Sequence, residues 1–141
     1  MNEPLICAME IQHYDQVATL WRKAMGTAVS LEFDTRERID AYLIRNPTMS
    51  TIAMLNDEVI GTVLCGHDGR RGTIYHVAIS EEHRRKGIAS RMVERSLSCL
   101  KQEGIDTVVL FAHVENAYAV EHWKRNGWPS YPNVLYHLKE L

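Results

Sequence analysis

One short stretch limits what this chain can fold into more than any other. An apolar run, Thr73–Ile79, passes through Ser80-Glu81-Glu82-His83 into Arg84-Arg85-Lys86-Gly87. Ile88, Met92, Val93, Leu97 and Leu100 then recur along one face of a long helix. The first four amides of any helix lack partners inside it, and the helix dipole adds to their positive character. Gly87 and Ala89 put almost no side chain over those amides. Arg84, Arg85 and Lys86 bring charge to the same place, so the corner suits an anion such as a pyrophosphate. Neither the P-loop pattern nor the Rossmann glycine pattern is present. Taken alone, the run also reads as a solvated turn, or as a small nucleic-acid contact at His83–Lys86.

The remaining elements fall on both sides of this corner. Pro4–Met9 reads as a short strand, and Val17, Leu20, Trp21, Ala24 and Met25 lie at helical spacing before a C-capping Gly26. Asp34 and Glu37 have capping-box spacing for a second helix, which Asn46-Pro47 closes. Strands are expected at Thr51–Leu55 and Val59–Cys65, then at Thr73–Ile79, Asp106–His113 and Asn133–Leu138. Asn116 is a good N-cap for a last helix that stops at Gly127. The expected fold is α/β (α+β): a mixed, mostly antiparallel central sheet of six to seven strands with about four helices.

Composition bounds the setting. With 141 residues, the chain suits a single domain over 1–141. A net charge of −2 argues against a generally basic nucleic-acid binder. No apolar run approaches the ~20 residues needed to span a bilayer, and Met1-Asn2-Glu3-Pro4 lacks a basic, apolar leader. The three cysteines, Cys7, Cys65 and Cys99, have no CxxC spacing and read as buried thiols of a cytoplasmic protein, without metal.

Arg84-Arg85-Lys86-Gly87-Ile88-Ala89, placed after a strand and opening a helix, resembles the R/Q-x-x-G-x-G/A signature of the GNAT superfamily of N-acetyltransferases. Val77-Ala78-Ile79 resembles that family's core strand. Asn116 to Trp128 resembles its second signature, N-x-x-A-x-x-x-Y-x-x-x-G-F. The element order agrees from residue 4 onward, so the resemblance covers nearly the whole chain. It implies an acyl-CoA N-acyltransferase fold and acetyl-CoA as the donor substrate. Arg84, Arg85, Lys86, Gly87, Ile88, Ala89 and Ser90 would hold the pyrophosphate. The backbone of Val77 and Ile79, flanking Ala78, would pair with the pantetheine arm like an added strand. Asn116 occupies a position that often contacts the cofactor, alongside its role as an N-cap.

The chain departs from the family in its proton-transfer groups. Trp123 stands where relatives carry a tyrosine acid, and it reads as packing, as does Trp128. Tyr118, Tyr131 and Tyr136 are possible substitutes. Relatives often place a base on the central strand at positions matching Thr73 or Tyr75, and neither is a good base near neutral pH. Strict strand alternation turns His76 to the opposite face, where it reads as a core or supporting histidine. His113 and Glu115, where a strand gives way to the last helix, are the base candidates. Between the first two helices, Ala28 to Asp34 matches a region that shapes the acceptor site in relatives. There Glu32 and Asp34 would attract a cationic amine and Phe33 would form an apolar wall.

The lack of an evident base bears on the acceptor. A lysine amine near pKa 10.4 is only about a thousandth neutral at pH 7.4, whereas an α-amine near 7.8 is about a quarter neutral. The difference is roughly 3 kcal/mol of deprotonation that a strong base need not supply. The function expected is therefore acetyl transfer by direct attack of a bound amine, a small molecule or a peptide α-amine. The chain would act as a monomer or homodimer, without nucleic acid or membrane. The competing expectation is an acyl-CoA-binding module with little or no catalysis and a regulatory role.

Overall fold

The computed structural model describes residues 2–26 and 29–141, and Ala28 of the expected acceptor segment lies outside them. The chain forms two compact units, one ending at Leu110 and one beginning at Phe111. The first unit runs β1 (Leu5–Ala8), α1 (Tyr14–Met25), α2 (Arg36–Arg45), β2 (Thr51–Leu55), β3 (Glu58–His67), β4 (Gly72–Ile79), α3 (Ile88–Gln102) and β5 (Val108–Leu110). The second unit contains α4 (Ala117–Arg125).

Among the described residues the sheet has five strands in the order β1-β2-β3-β4-β5. The first four pair antiparallel, and β5 runs parallel to β4. The mixed, mostly antiparallel character is as expected, but the count is five rather than six to seven. Asn133–Leu138 forms no strand, and the Asp106–His113 run contracts to Val108–Leu110. Val134 spends its N–H on the Tyr131 carbonyl in a local turn (3.2 Å). Pro132 in that turn has no N–H to offer a ladder.

Two faces of the sheet are filled differently. On one, α1 and α2 pack Val17, Leu20, Trp21 and Ile39 against Ile52, Val59, Leu64 and Ala78. On the other, α3 lays Met92 and Leu100 so close that a Cβ on Gly61 or Gly72 would come within 2.8 Å and 2.5 Å of them. Adjacent strand residues point to opposite faces, so Gly61 and Thr62 separate the two layers. Ser96 of α3, fully buried, is held by the Met49 carbonyl (2.7 Å) and the Thr51 hydroxyl (2.8 Å).

The N-cap of α2 is Thr35 rather than Asp34. Its hydroxyl accepts from the Arg38 amide (3.3 Å), and the chain enters the helix one residue later than capping-box spacing suggests. This frees the Asp34 carboxylate for another partner. Asn116 caps α4 as expected, its Oδ1 accepting from the Ala119 amide (3.0 Å).

Candidate active site

The corner between β4 and α3 is built as its sequence implies. Gly87 takes the left-handed conformation (φ 76°), which glycine adopts without the usual Cβ penalty, and it opens α3 with no capping side chain. No atom lies within 4 Å of where a Cβ would be, so the space over the helix N-terminus is open. Arg84, Arg85, Lys86 and Gly87 are all exposed, whereas Ile88 turns inward and anchors the helix. The Arg84 side chain folds back, its Nε donating to the Ile79 carbonyl (3.2 Å). His83 is tied to Ser80 through a 2.7 Å bond between Nδ1 and the hydroxyl.

Strand β4 is irregular just before this corner. Tyr75 opposes Leu64 and Ala78 opposes Thr62, so His76 and Val77 together face the single residue Val63. This is a β-bulge, and His76 takes a left-handed φ of 49° within it. The extra residue resets the alternation. Ile74 and Ile79, five residues apart, therefore reach the same face, opposite Cys65 and Gly61. His76 is turned onto the α1 face, which it shares with Tyr75, the partner of Leu64, whereas strict alternation sets those two neighbours on opposite faces. Its ring lies edge-on to Trp21 (4.9 Å between centroids), and its Nε2 is 2.7 Å from Asp34 Oδ2.

The bulge also re-aims the backbone. The His76 carbonyl points toward β3, where it accepts from the Thr62 hydroxyl (3.1 Å), and the Ser80 amide donates to the Ile60 carbonyl (2.8 Å). By alternation, the polar groups of Val77 and Ile79 face away from β3. On that side the ladder with β5 ends at Ile74–Leu110, so no ladder partner reaches them among the described residues. The Ile79 carbonyl instead accepts from Arg84 Nε, and the remaining groups face a side on which an amide-bearing chain would pair with them. Ala78 between them is buried on the α1 face.

A continuous chain of contacts supports His76. The buried Trp21 indole N–H donates to the Thr62 hydroxyl (2.9 Å), which in turn holds the His76 carbonyl. Tyr14 of α1 donates its hydroxyl to the Asp34 carbonyl (2.6 Å), and its own ionisation is raised by burial and by the Asp34 charge. Glu32 and Phe33 next to Asp34 are exposed, and the Arg38 guanidinium lies over the Phe33 ring (4.9 Å). The structure thus joins the α1–α2 segment to β4, two regions that sequence spacing keeps apart by 42 residues.

A model of the acetyltransferase (GNAT) family matches residues 14–128. The chain belongs to the GNAT acetyltransferases. This GNAT chain is 37% identical over 114 residues to the N-alpha-acetyltransferase 30 of Schizosaccharomyces pombe, covering 74% of this chain and 76% of that one. It is 30% identical over 105 residues to an acetyltransferase of Photorhabdus laumondii, covering 73% and 71%. The paia N-acetyltransferase of Thermoplasma acidophilum, solved in complex with coenzyme A, superposes with a TM-score of 0.77. That likeness is in fold, at 15% identity over 89% of each chain. As a GNAT enzyme, the protein transfers acetyl from acetyl-CoA to an amine, and the reading of it as a catalytically silent binding module is not favoured.

The other expected site residues have defined local settings. In the second unit, the His113 carbonyl accepts from the Asn116 amide (2.9 Å), with Glu115 between them. Tyr118 stacks on His122 (6.2 Å), and Trp123 meets Trp128 edge-to-face (5.7 Å), in keeping with packing roles for both tryptophans. None of the described cysteines lies at the bulge. Burial pushes the Cys65 thiol up to about 12, with the neighbouring Cys99 adding to the rise. Cys65 therefore stays protonated near neutrality and is no nucleophile. At pH 8 in the native protein, Cys65 is expected to resist an aromatic disulfide reagent, reacting only after denaturation. Rapid labelling of Cys65, read by peptide mass mapping, would contradict its placement.

The pairing of His76 with Asp34 was not legible from the sequence, because strict alternation and capping-box spacing sent the two residues elsewhere. One signal was present. Ile74 and Ile79 are large apolar residues at an odd spacing in a strand, which only an inserted residue reconciles with a common face.

Proposed function

We propose that this GNAT enzyme acetylates a free α-amine, at the start of a peptide or on a small molecule. Acetyl-CoA lies with its diphosphate on the amides of Gly87 to Ser90, among Arg84, Arg85 and Lys86. Its pantetheine arm pairs with the open edge of β4 at Val77 and Ile79. Four residues of strand, from Ile79 back to Tyr75, span about 13 Å, so an arm starting at the corner carries its thioester toward the bulge.

The observation that carries the acceptor reading is the meeting of the α1–α2 segment with β4 through Asp34 and His76. It brings the segment that holds Glu32 and Phe33 to the strand on which the thioester would end. A carboxylate attracts the ammonium form, and an α-amine surrenders its proton some 3 kcal/mol more easily than lysine. The similarity to an N-alpha-acetyltransferase supports the same acceptor class.

Initial rates of thiol release test this. Tetrapeptides with a free N-terminus and no lysine are compared with N-blocked peptides carrying one internal lysine, alongside polyamines and an aminoglycoside. The free-N-terminus set is expected to turn over at least tenfold faster than the lysine set. A preference for internal lysine would overturn the acceptor assignment.

A further inference from the structure

We infer that the His76–Asp34 pair is the proton-accepting device of the transfer reaction, with His76 as the base and Asp34 as its positioning residue. The inference rests on the proposed seating of the acetyl-CoA arm along β4.

The geometry has three parts. First, the bulge delivers His76 to the α1 face at the point where the β4–β5 ladder has ended and the donor arm would reach its thioester. A non-glycine residue with positive φ is uncommon, and histidine is among the side chains that tolerate it best. Second, the ring is clamped. Trp21 meets it edge-on, Thr62 holds its carbonyl, and Asp34 binds Nε2 at 2.7 Å. The side chains of His76 and Asp34 are 17% and 11% exposed, so the pair is sheltered yet reachable. Third, with the Nε2–H donating to the carboxylate, the ring's lone pair stays on Nδ1. A carboxylate that fixes one ring nitrogen and leaves the other as acceptor is the arrangement that makes imidazole a base. The Tyr14 hydroxyl donates to the Asp34 carbonyl, so its proton is not spent on Nδ1.

The step balances without a further reagent. The amine lone pair forms the N–C bond to the thioester carbon, and the C–S bond breaks with its electron pair going to sulfur. The proton lost by nitrogen goes to Nδ1 and from there to the departing thiolate, so an amide and a thiol leave.

Three measurements on the full chain test the assignment. Calorimetric titration of the wild type with CoA addresses the donor seating alone, and no binding there sinks the proposed function rather than the pair. Ring 15N chemical shifts of the CoA-bound wild type at neutral pH read the tautomer without turnover. A proton on Nε2 with a bare Nδ1 is expected, and a proton on Nδ1 overturns the inference. His76→Gln is expected to lower kcat on the fastest free-N-terminus peptide by a hundredfold or more, with its KM and the CoA affinity within threefold. His76→Asn, which suits the left-handed backbone, replaces it should the glutamine variant fail to fold. Asp34→Asn is expected to lower kcat at least tenfold and to mix the ring tautomers, a change that a purely structural role would not produce. A kcat within threefold of wild type in the His76 variant overturns the inference.

Discussion

Gly87→Glu is expected to weaken CoA binding by a hundredfold or more while leaving the protein folded. The position has a left-handed φ of 76°, so any side chain brings backbone strain of roughly 1–2 kcal/mol. It brings no clash, because nothing lies within 4 Å of an added Cβ. The loss of binding arises instead from charge. A carboxylate at the opening of α3 satisfies the same unpaired amides that would receive the diphosphate, and it repels that ligand as well. A hundredfold loss corresponds to about 2.7 kcal/mol, within reach of those two effects acting together. Gly87→Ala separates the causes, since it carries the strain without the charge and is expected to bind far better than the glutamate variant. Calorimetric titration with CoA beside thermal melts decides the matter. Unchanged affinity in Gly87→Glu would move the diphosphate site off this corner.

Trp21→Ala is expected to cost about 3–5 kcal/mol of stability, a large share of the ~5–15 kcal/mol that holds a typical domain together. Trp21 is fully buried and packed in the core between α1 and the sheet, and its indole N–H is bound to the buried Thr62 hydroxyl. Truncation removes the apolar surface, leaves a cavity and releases the edge contact on His76. Trp21→Phe keeps most of the ring area but loses the N–H donor. Its cost is expected near 1 kcal/mol, because Thr62 still donates to the His76 carbonyl. Urea unfolding of both variants gives the two magnitudes. Wild-type stability in Trp21→Ala would mean that the α1 face does not depend on this residue. A lowered rate in Trp21→Phe at full folding would instead measure how much the ring contact positions His76.

The local structure of the β4–α3 corner was far more legible in the sequence than the groups that could move a proton. The glycine corner could be read because its meaning is local: a strand, a short basic turn and a helix N-terminus are contiguous, and their physics depends on little else. The same holds for Gly26 after α1 and for Asn116 at the start of α4. The misreadings also have local causes. Asp34 and Glu37 have capping-box spacing, but Thr35 offers a hydroxyl one residue later, and that took the capping role. Asn133–Leu138 is apolar enough to be a strand, yet its Val134 N–H is spent on the Tyr131 carbonyl in a local turn.

The sequence by itself determined the family, the glycine corner that opens α3 and the order of the main elements, since each rests on residues adjacent along the chain or spaced by a helical or strand period. Only the tertiary structure decided that β4 carries one extra residue, that His76 therefore faces α1, and that Asp34 meets it from 42 positions away. The physical reason is that a bulge is a difference between two strands. It exists only in their register, and a single strand's sequence does not contain its partner.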